Sequence, residues 1–191
     1  MNHENRFKCH ICYEMGAGQE GYHSACLKKL FDSEMLPEFS FSNEEVSSMA
    51  LEYVKEKRGL PGVQKKLSLS LESTDKKRTH RKRLTIIGYL GGEYILKPPT
   101  DDYPFMPEIE DLTMQLADMA KIQVAPHGLI QMKEGGLAYI TKRFDRKGKK
   151  KIAVEDLCQL SEKLTEHKYR SSNENVAKII KKYSSFPGDD L

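Results

Sequence analysis

No stretch of the 191-residue sequence approaches the ~18 consecutive apolar residues that a membrane-spanning helix requires. The mean hydropathy of -0.62 excludes a membrane-embedded class on the same grounds. The opening residues, MNHENRFKCH, lack the apolar core of a secretory leader, so a cytoplasmic protein is expected. Net charge is also scarce: 31 Lys and Arg against 28 Asp and Glu leave +3, too little to argue for a nucleic-acid partner. The basic residues do cluster, at Lys76, Lys77, Arg78, Arg81, Lys82 and Arg83 and again over 147–151. Neither run carries the interleaved aromatics on which bases stack, and charge runs in hairpin loops are usually solvated surface. Direct nucleic-acid binding is therefore not expected.

Cysteine is sparse too, but its placement is informative. Three of the four fall within the first 26 residues, where Cys9, Cys12, His23 and Cys26 give C-x2-C-x10-H-x2-C. Two pairs of soft or borderline ligands, each two residues apart, match the tight turns that close a tetrahedral Zn²⁺ site. The competing reading is a set of free thiols packed as small hydrophobes, and His10 is a spare imidazole. Cys158 stands alone, at a place that reads as the core side of a helix.

Glycines 16, 18 and 21 mark a loop, after which 22–31 reads as a short helix with Leu27, Leu30 and Phe31 on one face. A second helix starts at Ser42, whose hydroxyl forms a capping-box pattern with Glu45, and Val46, Met49, Ala50, Tyr53 and Val54 supply its apolar stripe. From residue 58 the character changes. Gly59-Leu60-Pro61-Gly62 is a turn, 67–71 alternates at the strand period, and 84–90 and 93–97 read as two more strands. A helix follows with Pro107 in its first turn, and Ile109, Leu112, Leu116, Met119 and Ala120 are expected to form its buried face. Strands over 128–132 and 137–142 flank a Glu134-Gly135-Gly136 turn. Helices are expected over 155–170 and 173–183.

The order is three strands, a helix and two strands, with a glycine turn ahead of the first strand and Lys97 closing the third. Glu108 and Glu110 sit in the first turn of the helix. Tight glycine turns offer amides to phosphates, an ammonium can pair with them, and a helix carboxylate can hold that ammonium in place. Taken singly each element is weak, since Gly59-x-x-Gly62 is not G-x-G-x-x-G and a strand-end lysine is usually surface. Their shared order carries the argument.

Six ordered blocks resemble the HipA-like serine/threonine kinases, the toxins of bacterial type II toxin–antitoxin systems. They are 62–69 (GVQKKLSL), 94–98 (YILKP), 107–110 (PEIE), 124–129 (VAPHGL), 143–146 (RFDR) and 154–159 (VEDLCQ). The short form, HipT, is the nearer resemblance, through Gly21-Tyr22 and Leu27 to Leu30. The resemblance implies that Gly62, Val63, Gln64, Lys65 and Lys66 form the phosphate-binding loop. It implies that Lys97 contacts the phosphates of ATP, that Glu110 (or Glu108) pairs with Lys97, and that Lys142 and Phe144 lie at the hinge beside the adenine. ATP with Mg²⁺ is the implied cofactor, a helix-turn-helix antitoxin the implied partner and an aminoacyl-tRNA synthetase the implied substrate. The serines that the family often carries ahead of the loop are replaced here by Gly59-Leu60-Pro61.

After Asp145 the sequence holds no Asp…Asn catalytic loop and no later metal-binding Asp motif, both of which phosphoryl transfer needs. The polypeptide is thus expected to be inactive alone, with a second chain as one source of the large lobe. The alternatives are a non-catalytic regulatory or antitoxin-like module, and a zinc-knuckle nucleic-acid-binding protein. The expected fold is α+β: a kinase-like small lobe of five antiparallel strands and one helix over 58–146. An N-terminal Cys/His helical module over 1–57 precedes it, and helices that begin a large lobe follow over 147–191.

Overall fold

A computed structural model describes residues 7–18, 20–55, 65–74, 81–87, 91–147 and 150–190. The chain divides into two compact units, Met1–Phe144 and Asp145–Leu191.

The first unit opens with a small hairpin, β1 (Phe7–Lys8) and β2 (Met15–Ala17), followed by helices α1 (Ser24–Phe31) and α2 (Asn43–Lys55). The capping box read at the start of α2 is present: Ser42 Oγ accepts from the Glu45 amide at 3.1 Å, and Glu45 Oε2 accepts from the Ser42 amide at 2.8 Å. Val46 and Ala50 are buried and Met49 packs beside them. The side chains of Tyr53 and Val54 lie outside the described residues.

The centre is a five-stranded antiparallel sheet in the order β4-β3-β5-β7-β6. Its strands are β3 (Leu67–Ser73), β4 (Lys82–Ile86), β5 (Tyr94–Lys97), β6 (His127–Gln131) and β7 (Leu137–Lys142), with helix α3 (Met106–Met119) between β5 and β6. The α+β architecture expected from the sequence is thus present. Strand β4 starts two residues earlier than its apolar run, because Ser73 and Lys82 still pair across the ladder. The turn between β6 and β7 takes two left-handed positions, φ 91° at Gly135 and φ 79° at Gly136, which glycine adopts without a Cβ clash.

Side-chain alternation gives the sheet two different faces. Leu67, Leu69, Leu84, Tyr94, Leu96, Ala138 and Ile140 join the buried core with Leu27, Leu30 and Phe31 of α1 and Val46 and Ala50 of α2. Tyr94 ties α1 to this face, its hydroxyl donating to the Leu30 carbonyl at 3.0 Å and its ring lying 5.5 Å from that of Phe31. The opposite face carries Lys97, Tyr139, Leu129, Thr141 and His127 in register, and α3 lies against β6 and β7.

One expectation is overturned on α3. Ile109, Leu112, Leu116, Met119 and Ala120 are exposed, Ile109 at 61% and Met119 at 75%, whereas the buried residues of the helix are Pro107 and Asp111. The helix meets a sheet face that bears polar side chains, so its polar side turns inward and its apolar stripe outward.

The second unit holds a short hairpin, β8 (Arg146–Lys147) with β9 (Lys150–Lys151), then α4 (Leu157–Leu160), a 3-10 turn (Thr165–His167) and α5 (Asn173–Tyr183). The last helix falls where periodicity places it. The expected helix over 155–170 does not form as one piece. A capping box between Asp156 and Gln159 starts it, but Glu162 turns left-handed at φ 56° and ends it. The loop that follows is closed by an ion pair of Asp156 with Lys168 at 2.8 Å. Cys158 is half-buried beside the Lys163 and Leu164 carbonyls, not in a helical core. Among the described residues, no helix is long and apolar enough to cross a membrane.

Candidate functional site

Among the described residues of the first unit, two clusters of chemistry-bearing side chains stand out. The first is the Cys/His group. Cys9 and Cys12 come from the tight turn after β1, and His23 and Cys26 from the start of α1; their ligand atoms all lie within 4.8 Å of one another. His23 Nδ1 is 3.4 Å from Cys12 Sγ and 4.0 Å from Cys26 Sγ. Those spacings approach the ~3.5–3.8 Å edges of a tetrahedron built on ~2.1–2.3 Å bonds to Zn²⁺. The outer nitrogen, His23 Nε2, lies 3.3 Å from the Met15 carbonyl. A carbonyl only accepts, so this contact suits a hydrogen on Nε2 and leaves Nδ1 as the nitrogen that faces the sulfurs, the orientation that a metal ligand needs.

The thiols differ in acidity. Burial opposes ionisation of Cys9, but the backbone amides of Cys12, His23 and Ile11 and the Cys12 thiol outweigh it and bring the group down to about 7. Burial pushes Cys26 up to about 12, with the neighbouring Cys12 and Cys9 sulfurs adding to the rise. The two sulfurs are thus shifted in opposite directions by their surroundings. A divalent cation held there would expel the remaining protons.

The second cluster lies between the sheet and α3. Lys97 is the last residue of β5, and Pro98-Pro99 then ends the strand because neither can donate to a ladder. Its ammonium forms an ion pair with Glu110 on the first turns of α3 and sits 5.5 Å from the centre of the Tyr139 ring, the residue opposite it on β7. Both partners of the ion pair are about one-fifth to one-quarter exposed, at 21% and 24%. The ammonium is thus held by a carboxylate and an aromatic face while still open to a ligand. Glu108 does not take this place. One of its carboxylate oxygens is buried without a hydrogen-bond partner among the described residues, and its charge helps raise Tyr13, whose pKa is shifted up mainly by burial and then by Asp111.

Beneath that pair lies a polar array that sequence reasoning missed. Asp111, 0% exposed, accepts from the hydroxyl of Tyr13 and from Nδ1 of His127 at 2.7 Å. The His127 ring is 5.9 Å from that of Tyr139, so the array reaches Lys97 through one aromatic ring. The available signal was the spacing of Asp111 and Gln115 at i and i+4, a polar pair on a second side of α3.

Of the remaining sequence-predicted residues, Gly62, Val63 and Gln64 lie outside the described residues. Lys65 and Lys66 are half-buried just ahead of β3. Lys142 pairs with Asp32 at 2.6 Å, and its amide donates to the Pro126 carbonyl at 2.8 Å. Phe144 is 73% exposed at the end of the first unit. The structure thus brings together Lys97 with Glu110, and Cys9 with Cys12, His23 and Cys26; it does not bring Lys142 to Lys97.

Comparison with known proteins supplies the context. The sequence model of the HipA-like C-terminal domain matches residues 59–191. A curated protein of Haemophilus influenzae, bearing the name "Putative kinase", is 27% identical over 135 residues, which is 69% of this chain and 35% of that protein. The chain therefore spans about a third of the length of that relative.

Proposed function

The chain belongs to the HipA-like C-terminal domain family, and from that premise we propose that it supplies the ATP-gripping small lobe of a protein serine/threonine kinase of the toxin–antitoxin type. The observation that carries this reading is the Lys97–Glu110 ion pair against Tyr139. A strand-end ammonium held by a helix carboxylate is the arrangement that positions a cation on nucleotide phosphates. The partial exposure of the pair leaves room for that ligand. Lys97 would take the phosphates, Glu110 would keep Lys97 from swinging into solvent, and the segment from Gly62 to Lys66 would cover the phosphates. Mg²⁺ would arrive with the nucleotide. Lys142 and Phe144 are proposed to mark the adenine end.

Residues 146–191 hold no Asp…Asn loop, and these 191 residues are proposed to bind nucleotide without supplying the groups that transfer phosphate. Asp156, the acid nearest Asp145 in the second unit after Glu155, is committed to capping α4 and pairing with Lys168. A helix-turn-helix antitoxin and an aminoacyl-tRNA synthetase are the proposed partner and substrate, a second chain is the proposed source of the large lobe, and the cytoplasm is the proposed compartment. The Cys9–Cys12–His23–Cys26 group is proposed to hold Zn²⁺ structurally. With four protein ligands it has no open position for catalysis.

A thermal shift tests the nucleotide reading. ATP with Mg²⁺ should raise the melting temperature of the wild-type chain and leave Lys97→Ala unchanged, and neither should incorporate label from γ-labelled ATP. An equal shift in both proteins, or label that depends on Lys97, would count against it.

A further inference from the structure

The two clusters are joined. The turn that presents Cys9 and Cys12 also presents residues 10–13, which reach the sheet edge and α3 as well as the neighbouring Gly21–Tyr22 segment. The His10 carbonyl accepts from the amide of Leu129 on the edge strand β6 at 3.0 Å, and Tyr22 donates its hydroxyl to the Leu129 carbonyl at 3.0 Å. Ile11 packs on Gly128 so closely that a Cβ there would lie 2.7 Å from Ile11 Cγ1. The Ile11 carbonyl accepts from Gln115 Nε2, and Tyr13 donates to Asp111. Asp111 and Gln115 are one helical turn apart on α3, so the turn grips the helix at two points.

Among the described residues, the ends of the helix add no side-chain cap to its packing on β6 and β7. Its N-cap, Phe105, makes no side-chain capping bond, Ala120 closes it with a plain backbone turn, and its apolar stripe points outward. Its inward side is fastened through Glu110 to Lys97, through Asp111 to His127 and Tyr13, and through Gln115 to Ile11. Tyr13 itself sits left-handed at φ 62°, a conformation that a non-glycine residue keeps only where its surroundings impose it. It follows the ligand Cys12 directly, so closing the Cys/His ring is what would impose it.

We propose that a metal-closed Cys9–Cys12–His23–Cys26 knuckle is the positioning device for α3, setting through Tyr13–Asp111 and Ile11–Gln115 the reach of Glu110 to Lys97. This rests on the reading of that pair as the nucleotide grip and of the knuckle as a Zn²⁺ site. Tyr13 is then a positioning residue: it acts on Lys97 through Asp111 and Glu110. Because coupling between two sites is reciprocal, Zn²⁺ and ATP each tighten the other.

The test uses the full chain, loaded with Zn²⁺ or stripped with a zinc-selective chelator, and reads amide hydrogen exchange over residues 107–119 together with ATP·Mg²⁺ affinity. Stripping should speed exchange in α3 at least ten-fold, leave β3–β4 protected, and weaken ATP about five-fold or more. Tyr13→Phe should retain one equivalent of Zn²⁺ yet reproduce faster α3 exchange and weaker ATP binding. A protein that takes up no Zn²⁺ overturns the proposal at its first premise. So does loss of Zn²⁺, or Tyr13→Phe, with α3 exchange unchanged. If the loaded protein binds no ATP, the nucleotide reading fails alone and the exchange measurement still decides the coupling.

Discussion

The two sides of α3 invert the usual rule. The side against the sheet carries a carboxylate bonded to an imidazole and a phenol, a glutamate on a lysine and a glutamine on a backbone carbonyl. The side facing away from the sheet carries Ile109, Leu112, Leu116 and Met119. The difference teaches that apolar periodicity finds a stripe but does not say which way it faces. The sheet decides that, because the face α3 meets carries Lys97 and His127, which need acids, while the apolar face is already filled by α1 and α2. Burying a carboxylate is tolerable only where donors satisfy it, and Asp111 has two.

The sharpest way to break this comparison is Asp111→Ala. It leaves His127 buried and Tyr13 half-buried without their acceptor, and a buried polar group orphaned in this way costs about 1–3 kcal/mol. Denaturant unfolding should show that loss, and a change below about 1 kcal/mol would mean that the inward side is not what holds the helix. The opposite side gives the smallest effect. Leu116→Ser, over an exposed position, should move stability by no more than about 0.5 kcal/mol. A loss like that of Asp111→Ala would place Leu116 in a core.

Much of the fold was legible. The alternation of Leu67, Leu69 and Leu71, the Gly135-Gly136 turn and the Ser42–Glu45 box are short-range patterns whose physics acts within a few residues. That Cys9, Cys12, His23 and Cys26 come together was legible because each pair is separated by only two residues. What was hidden is long-range. Tyr13 and Asp111 are 98 positions apart, and nothing in either neighbourhood announces the other. The side of α3 that turns inward depends on a strand formed after it in sequence. The break at Glu162 was hidden for a different reason: a non-glycine left-handed residue has no strong sequence signal, and the apolar Leu157, Leu160 and Leu164 suggested continuity.

The central claim is that Lys97, Glu110 and Tyr139 form a nucleotide grip between strand and helix. The most direct measurement is a backbone amide NMR titration of the zinc-loaded chain with ATP·Mg²⁺, repeated on Lys97→Ala. The account predicts shifts concentrated in β5 (Tyr94–Lys97), the first turns of α3 and β7 (Leu137–Lys142), absent in the variant. Shifts confined to the basic β8–β9 hairpin, or identical in the two proteins, would contradict it.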